Sequence, residues 1–280
     1  MQGKTVVITG ATSGIGAAAA SALARQGARI VFTARDEAKA KATLDELTRA
    51  NPDAAHDFII ADLTTLAAMR EAGRALLSKA RRIDVLANNA GVIVQSRELT
   101  ADGLEMTFAV NHMAYFVLTE VLRPALAPDA RIVSTASGAH AAGRLDFDDL
   151  TFERGYSAFR AYGTSKLCNI LWTRELARRL EGTRITANCF HPGGVNTRFG
   201  DNMSGLAGAA FGLLKKFMLS PAQGADTLVW LAASDDAEGL SGGYFAKRRL
   251  AQPTAAARDD IAARRLWEVS VRLAGAPARV

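Results

Sequence analysis

The sequence predicts an α/β fold: a doubly wound parallel sheet of about seven strands with helices on both faces, in a single domain over residues 1–280. Three observations carry this expectation. Short β-branched runs alternate with helical segments through the first third of the chain, an order that lays parallel strands side by side. The segment Gly10-Ala11-Thr12-Ser13-Gly14-Ile15-Gly16 directly follows the first run and opens a helix. Finally, 49% of the 280 residues are hydrophobic and 24 are glycine, which supplies apolar surface for both faces of a sheet and small residues for close helix packing.

The first strand, 5–9, is the run Thr-Val-Val-Ile-Thr, suited to burial on both faces. An alanine-rich helix follows the glycine turn to Gln26 and is closed by Gly27. A second strand over 29–33 leads to a helix over 36–50, with Asp36 as its N-cap and Asn51-Pro52 as its stop. A third strand over 58–61 precedes a helix over about 65–80, and 83–87 forms the fourth strand. Strands are expected over 131–136 and 184–190, with a long helix over 157–180 between them. A sheet-covering helix over 221–233, a short strand over 243–245 and a last helix over 255–273 complete the chain. No linker, repeat or low-complexity block divides it.

Composition narrows the function. The net charge of +6 admits an anionic ligand, yet the basic residues are scattered (Arg25, Arg49, Arg70, Arg81, Arg123) and not interleaved with aromatics, so no nucleic-acid partner is expected. The two cysteines and four histidines show neither a disulfide framework nor metal-ligand spacing. No stretch has the length of uncharged apolar chain a membrane helix needs, and no signal peptide precedes the first strand, so a cytoplasmic protein without an integral membrane segment is expected.

Two features carry chemistry. A glycine-rich turn between strand and helix lets backbone N–H groups and a helix N-terminus approach a pyrophosphate. Its spacing here is G-x-x-x-G-x-G, at Gly10, Gly14 and Gly16. The other feature is Tyr162 and Lys166, which share one face of the predicted helix over 157–180. A cation beside a phenol favours the phenolate, so the pair could exchange a proton with a substrate oxygen near neutral pH. Tyr-x-x-x-Lys also occurs on helices with no such role, and its surroundings must decide.

Those surroundings carry a resemblance. Thr9-Gly10-x-x-x-Gly14-Ile15-Gly16, Asn88-Asn89-Ala90-Gly91, Tyr162-x-x-x-Lys166 and Pro192-Gly193 resemble, in order, the motif set of the short-chain dehydrogenase/reductase family over nearly the whole chain. Thr33-Ala-Arg-Asp36, Ser137-Gly-Ala-His140, Tyr162-Gly-Thr-Ser-Lys-Leu-Cys-Asn169 and Ser241-Gly-Gly-Tyr-Phe245 are similar to its retinol dehydrogenase branch. The resemblance implies a Rossmann-type fold and the catalytic set Ser137, Tyr162, Lys166 and Asn111. Ser137 fits the family's serine better than Ser134. Asn111, in a helix expected over about 102–126, would support the lysine through a water. His140 is expected to be structural.

The resemblance also implies a nicotinamide cofactor. Gly10, Thr12, Ser13, Gly14, Ile15 and Gly16 would hold its pyrophosphate end, Asp62 and Leu63 the adenine, and Asn89, Ala90 and Gly91 the ribose region. Tyr162, Lys166, Pro192, Gly193 and Val195 would border the nicotinamide, and Thr197 would bind its carboxamide or the pyrophosphate. The place of an NAD-selecting aspartate at the end of the second strand is taken by Ala34, and Arg35 follows it, where NADP-using relatives carry a base. NADP(H) is therefore favoured over NAD(H). The implied activity is hydride exchange with a lipophilic aldehyde, ketone or secondary alcohol, retinal-like or steroid-like, and relatives form homodimers or homotetramers. The alternatives are an NAD(H)-dependent alcohol dehydrogenase of the same family and a non-catalytic nucleotide-binding scaffold. Apolar residues Met203, Leu206, Phe211, Leu213, Leu214, Phe217 and Met218 between glycines mark 198–220 as a substrate lid, with a packing helix, subunit interface or membrane contact as the other readings.

Overall fold

The structure, a computed structural model, describes residues 1–194 and 219–275. Its first strand, β1 (Thr5–Thr9), is buried from Val6 onward and pairs in parallel with β2 (Arg29–Ala34) on one side and β4 (Ile83–Asn88) on the other. β3 (Asp57–Ile60) lies outside β2. Beyond β4 come β5 (Leu126–Thr135), β6 (Thr186–Phe190), β7 (Tyr244–Ala246) and β8 (Arg249–Leu250), giving the order β3-β2-β1-β4-β5-β6-β7-β8. Every pairing is parallel except the last. The order reverses between β1 and β4, and the carboxyl ends of those strands face the crevice where such sheets bind ligands.

Alternation along the strands splits the core in two. Val7, Val31, Leu86 and Ile132 face one layer, made by α3 (Leu66–Lys79), α4 (residues 106–122) and α5 (Ala158–Arg179), with α7 (Asp260–Ala274) packed outside them. Val6, Ile8, Ile30, Phe32, Val85 and Val133 face α1 (Gly14–Arg25), α2 (Glu37–Ala50) and α6 (Pro221–Ala233). The small side chains of α1 (Ala19, Ala20, Ala24) are fully buried and let that helix lie close to the sheet. No helix among the described residues is long and apolar enough to cross a membrane.

The sheet has eight strands where about seven were expected. The extra one is the two-residue β8, whose exposed Arg-Leu carries no hydrophobic period to read. β5 begins at Leu126, five residues early, because Leu126 pairs with Ile83 before a register shift. The helix expected over 102–126 is shorter. It starts at Met106, capped by the buried Glu105 carboxylate, which accepts from the Thr107 and Phe108 amides at 2.9 and 2.7 Å. Asp102 instead accepts from Leu66 N, the first amide of α3, at 2.7 Å, beside the Thr65 cap of that helix. Within α4 the residues Ala109–Met113 form a π-helical turn, a distortion with no sequence signature and one that concentrates at functional sites. The last predicted helix is broken at Asp259, whose carboxylate caps α7.

Candidate active site

The glycine turn is shaped by contacts that admit no side chain. Gly10 has φ +70°, and a Cβ on Gly16 would lie 2.2 Å from the Gly10 carbonyl oxygen and 2.5 Å from Asn89 Nδ2. Around it, Gly10 N donates to Thr33 Oγ1 at 3.1 Å, and the Asn89 and Ala90 amides donate to Thr9 Oγ1 at 2.9 and 3.0 Å. Asn89 Nδ2 donates to the Thr9 and Gly10 carbonyls at 3.1 and 3.2 Å. Asn89 therefore pins the turn to the end of β4. α1 begins at this turn without a side-chain cap from Ser13 and without an acid in its first turn. Its positive end is thus left to an external anion. Thr12 and Ile15 are half-buried and Ser13 is exposed. This cradle fits a dinucleotide pyrophosphate.

At the end of β2, Ala34 is buried and Arg35 exposed, with no ion-pair partner among the described residues. Asp36 is occupied as the cap of α2, accepting from Lys39 N at 2.8 Å. At the end of β3, Asp62 is exposed while Leu63 is packed in the core.

α5 carries Tyr162 and Lys166. Gly163, the one glycine in this helix, explains how it approaches β5: a Cβ there would sit 2.6 Å from the Ala139 carbonyl oxygen and 3.1 Å from Gly143 N. The 3₁₀ turn Gly138–Ala142 thus packs backbone to backbone on α5, one residue from Tyr162. Thr164 locks the contact, exchanging hydrogen bonds with the Arg144 amide and carbonyl at 3.1 and 3.0 Å. Ser137 caps that turn and hydrogen-bonds to Tyr162. Ser134, the other candidate, is wholly buried in β5, its hydroxyl without a partner among the described residues.

Two histidines hold the serine turn. His140 Nε2 accepts from Thr254 N at 3.2 Å, so Nδ1 carries the proton it donates to the Ser137 carbonyl at 2.7 Å. This is the structural role expected of it. His191 was not expected to contribute. Its Nδ1 accepts from Gly138 N at 3.0 Å and Gly193 N at 3.3 Å, joining the serine turn to the Pro192-Gly193 loop. Burial lowers its pKa, as does nearby His140, which keeps that acceptor unprotonated.

Asn111 lies in the π-helical turn of α4. Its Oδ1 accepts from Val92 N at 2.7 Å, and its Nδ2 donates to Val92 O at 2.9 Å and Ser165 Oγ at 3.0 Å. Ser165 in turn donates to the Tyr162 carbonyl at 2.7 Å. Asn111 therefore ties the segment after β4 to α5 around the tyrosine.

Lys166 was expected to lower the Tyr162 pKa; its Nζ donates to the Thr135 carbonyl at 3.0 Å and stands over the Tyr162 ring, 5.6 Å from the centroid. Burial pushes the Tyr162 phenol up to about 12, with the Ser137 hydrogen bond opposing, and burial brings the Lys166 amine down to about 7. Desolvation disfavours the charged form of each. The phenol is therefore protonated at neutral pH.

Val195, Thr197 and nearly all of 198–220 lie outside the described residues. The flanks of that segment meet: Leu219 N donates to Gly194 O at 2.8 Å.

A family model described as short chain dehydrogenase matches residues 4–205. The chain is 45% identical over 281 residues to a Streptomyces sp. (strain C5) protein provisionally named a daunorubicin C-13 ketoreductase, covering 100% of this chain and 95% of that one. It is 41% identical over 290 residues to retinol dehydrogenase 14 of Mus musculus, covering 98% and 87%. Its fold matches a short chain dehydrogenase from Burkholderia cenocepacia J2315, solved in complex with NADP, at TM-score 0.71 and 27% identity over 87% of this chain and 96% of that one. A nucleotide cradle at one strand end and a serine–tyrosine–lysine group at another thus belong to a member of the short-chain dehydrogenase/reductase family, in its retinol dehydrogenase-like branch, an NAD(P)-binding oxidoreductase of CH–OH and carbonyl groups.

Proposed function

We propose that the chain is an NADP(H)-dependent oxidoreductase that interconverts a lipophilic aldehyde or ketone, retinal-like or steroid-like, with its alcohol. The observation that carries this reading is the convergence of Ser137, Tyr162 and Lys166 at the carboxyl end of β5, beside the uncapped glycine turn after β1. The preference for NADP(H) is supported by Arg35, exposed beyond a buried Ala34, with Asp36 committed to its helix. A guanidinium there can form charge-assisted hydrogen bonds with a 2′-phosphate. The printed names of the relatives, a ketoreductase and a retinol dehydrogenase, support the substrate class.

Gly10, Thr12, Ser13, Gly14, Ile15 and Gly16 would hold the pyrophosphate end of the cofactor, Arg35 the 2′-phosphate, and Asp62, Leu63 and Asn89 to Gly91 the adenosine. Tyr162, Lys166, Pro192, Gly193 and Val195 would border the nicotinamide, which supplies or accepts the hydride when bound, and Thr197 would bind its carboxamide or the pyrophosphate. The chain supplies the proton. Tyr162, protonated at neutral pH, gives its proton to the carbonyl oxygen in reduction and recovers it in oxidation. Ser137 orients the phenol and donates to the same oxygen as charge develops there. Lys166 in its charged form favours the phenolate left behind. Asn111 keeps α5 in register with the segment after β4, which fixes the Tyr162 backbone.

The test is Tyr162→Phe against a panel of aldehydes and ketones that includes retinal and steroids. Turnover is expected to fall by about 10²–10⁴-fold or more, with NADPH binding, followed by fluorescence, nearly unchanged. Wild-type turnover in that variant refutes the assignment.

A further inference from the structure

Lys166 is a buried amine with no anionic partner among the described residues. The residue is 2% exposed, and among the described residues no carboxylate forms a salt bridge with it. Among the described residues it donates to the Thr135 carbonyl. The remaining surroundings on each packed element are these: Tyr162 and Asn169 on its own helix, Tyr115 and Asn111 on α4, Thr135 on β5, and Gly91 after β4. Only the two tyrosines among them can titrate.

The tyrosines stand symmetrically. Lys166 Nζ lies over the Tyr162 ring and over the Tyr115 ring, 5.6 Å from each centroid. Tyr115 is fully buried, four residues beyond Asn111 on α4. Its hydroxyl makes no well-formed hydrogen bond among the described residues, although the Thr135 side chain lies near enough to act on it. A phenylalanine would fill the same volume without a buried hydroxyl, so what the position visibly supplies is a ring face. That face carries the negative part of the aromatic quadrupole and attracts a cation within about 6 Å, most strongly where water is excluded.

We propose that Tyr115 is a positioning residue of the proton-transfer pair: its ring face and that of Tyr162 form an aromatic clamp that keeps the Lys166 amine charged and held against the phenol. The proposal rests on reading Tyr162 and Lys166 as the pair, and its direct measurement does not depend on turnover. The ring face acts against burial, which by itself draws the amine toward its neutral form.

The measurement is an NMR titration of protein labelled with ¹³C at lysine Cε, with the Lys166 resonance assigned by its loss in Lys166→Met. The variants are Tyr115→Phe, Tyr115→Leu and incorporation of 3,4,5-trifluorophenylalanine at position 115, which preserves shape while weakening the ring face. Tyr115→Leu is expected to lower the Lys166 midpoint by about one pH unit, roughly a tenfold change in protonation. The fluorinated ring should fall between Leu and Phe, and Tyr115→Phe should restore the wild-type midpoint. With NADPH and all-trans-retinal as probes, the basic limb of kcat/KM for reduction should move to lower pH in the same order. Equal midpoints in wild type, Tyr115→Leu and the fluorinated variant overturn the clamp. If Tyr115→Leu fails to fold, the fluorinated ring decides alone. A fully active Tyr162→Phe would sink the reading of the pair while leaving the Lys166 titration interpretable.

Discussion

Gly16→Ala tests whether the cofactor cradle is held shut by backbone contact. The added Cβ would start 2.2 Å from Gly10 O and 2.5 Å from Asn89 Nδ2, so the turn must open by about 1 Å to reach ordinary contact. Neither obstacle yields easily. The Gly10 oxygen is backbone, and the Asn89 amide is fastened to the Thr9 and Gly10 carbonyls. Overpacking costs about 1–3 kcal/mol and a lost hydrogen bond about 0.5–1.5. Helix propensity favours Ala over Gly by about 1 kcal/mol and offsets part of this. The net loss is about 1–3 kcal/mol, or about 2–6 °C in Tm for a chain of 280 residues. Binding should suffer more than stability, because the amides aimed at the pyrophosphate move with the turn. Losing one charge-assisted backbone bond raises the NADPH Kd by about tenfold to a hundredfold. Scanning fluorimetry and NADPH fluorescence titration read the two effects. Gly182→Ala serves as control: its φ is +83° in open space, so it incurs about 1–2 kcal/mol of backbone strain and leaves NADPH affinity alone. A Gly16→Ala protein with wild-type Tm and Kd would refute the argument.

Two further outcomes follow from the same geometry. Arg35→Ser should raise the Kd for NADPH by about 10–100-fold, the loss of a charged hydrogen bond, while NADH binding stays the same; equal effects on both cofactors would remove Arg35 from the 2′-phosphate site. Lys166→Met should abolish turnover yet raise the Tm of the cofactor-free protein, because a buried amine is costly to protonate. The sign follows from linkage. The folded pKa of about 7 lies below the unfolded value of 10.5, so wild type loses stability as pH falls from about 10.5 to 7. The advantage of Lys166→Met should therefore be larger at pH 6.5 than at pH 9, and a Tm difference that grows with pH would contradict the burial argument.

The cores, the parallel sheet and the two ends of the site were legible in the sequence for one physical reason. β-branched runs, the glycine turn and a tyrosine one helical turn from a lysine are local patterns whose meaning depends on spacing along the chain. What escaped it depends on contacts between segments far apart. β8 exists because Phe245 and Leu250 face each other across a two-residue turn, and the α4 distortion at Asn111 has no period to betray it. Tyr115 meets Lys166 only when α4 packs on α5, and His191 meets the Ser137 turn only through the Pro192-Gly193 loop. The protonation of the central pair belongs to the same class. Sequence spacing placed Lys166 beside Tyr162, whereas the burial that pushes the phenol up and the amine down comes from the packing around them. The sequence by itself named the groups that could do the chemistry. Only the tertiary structure decided their charge, because desolvation is a property of everything packed around a group and not of its neighbours along the chain.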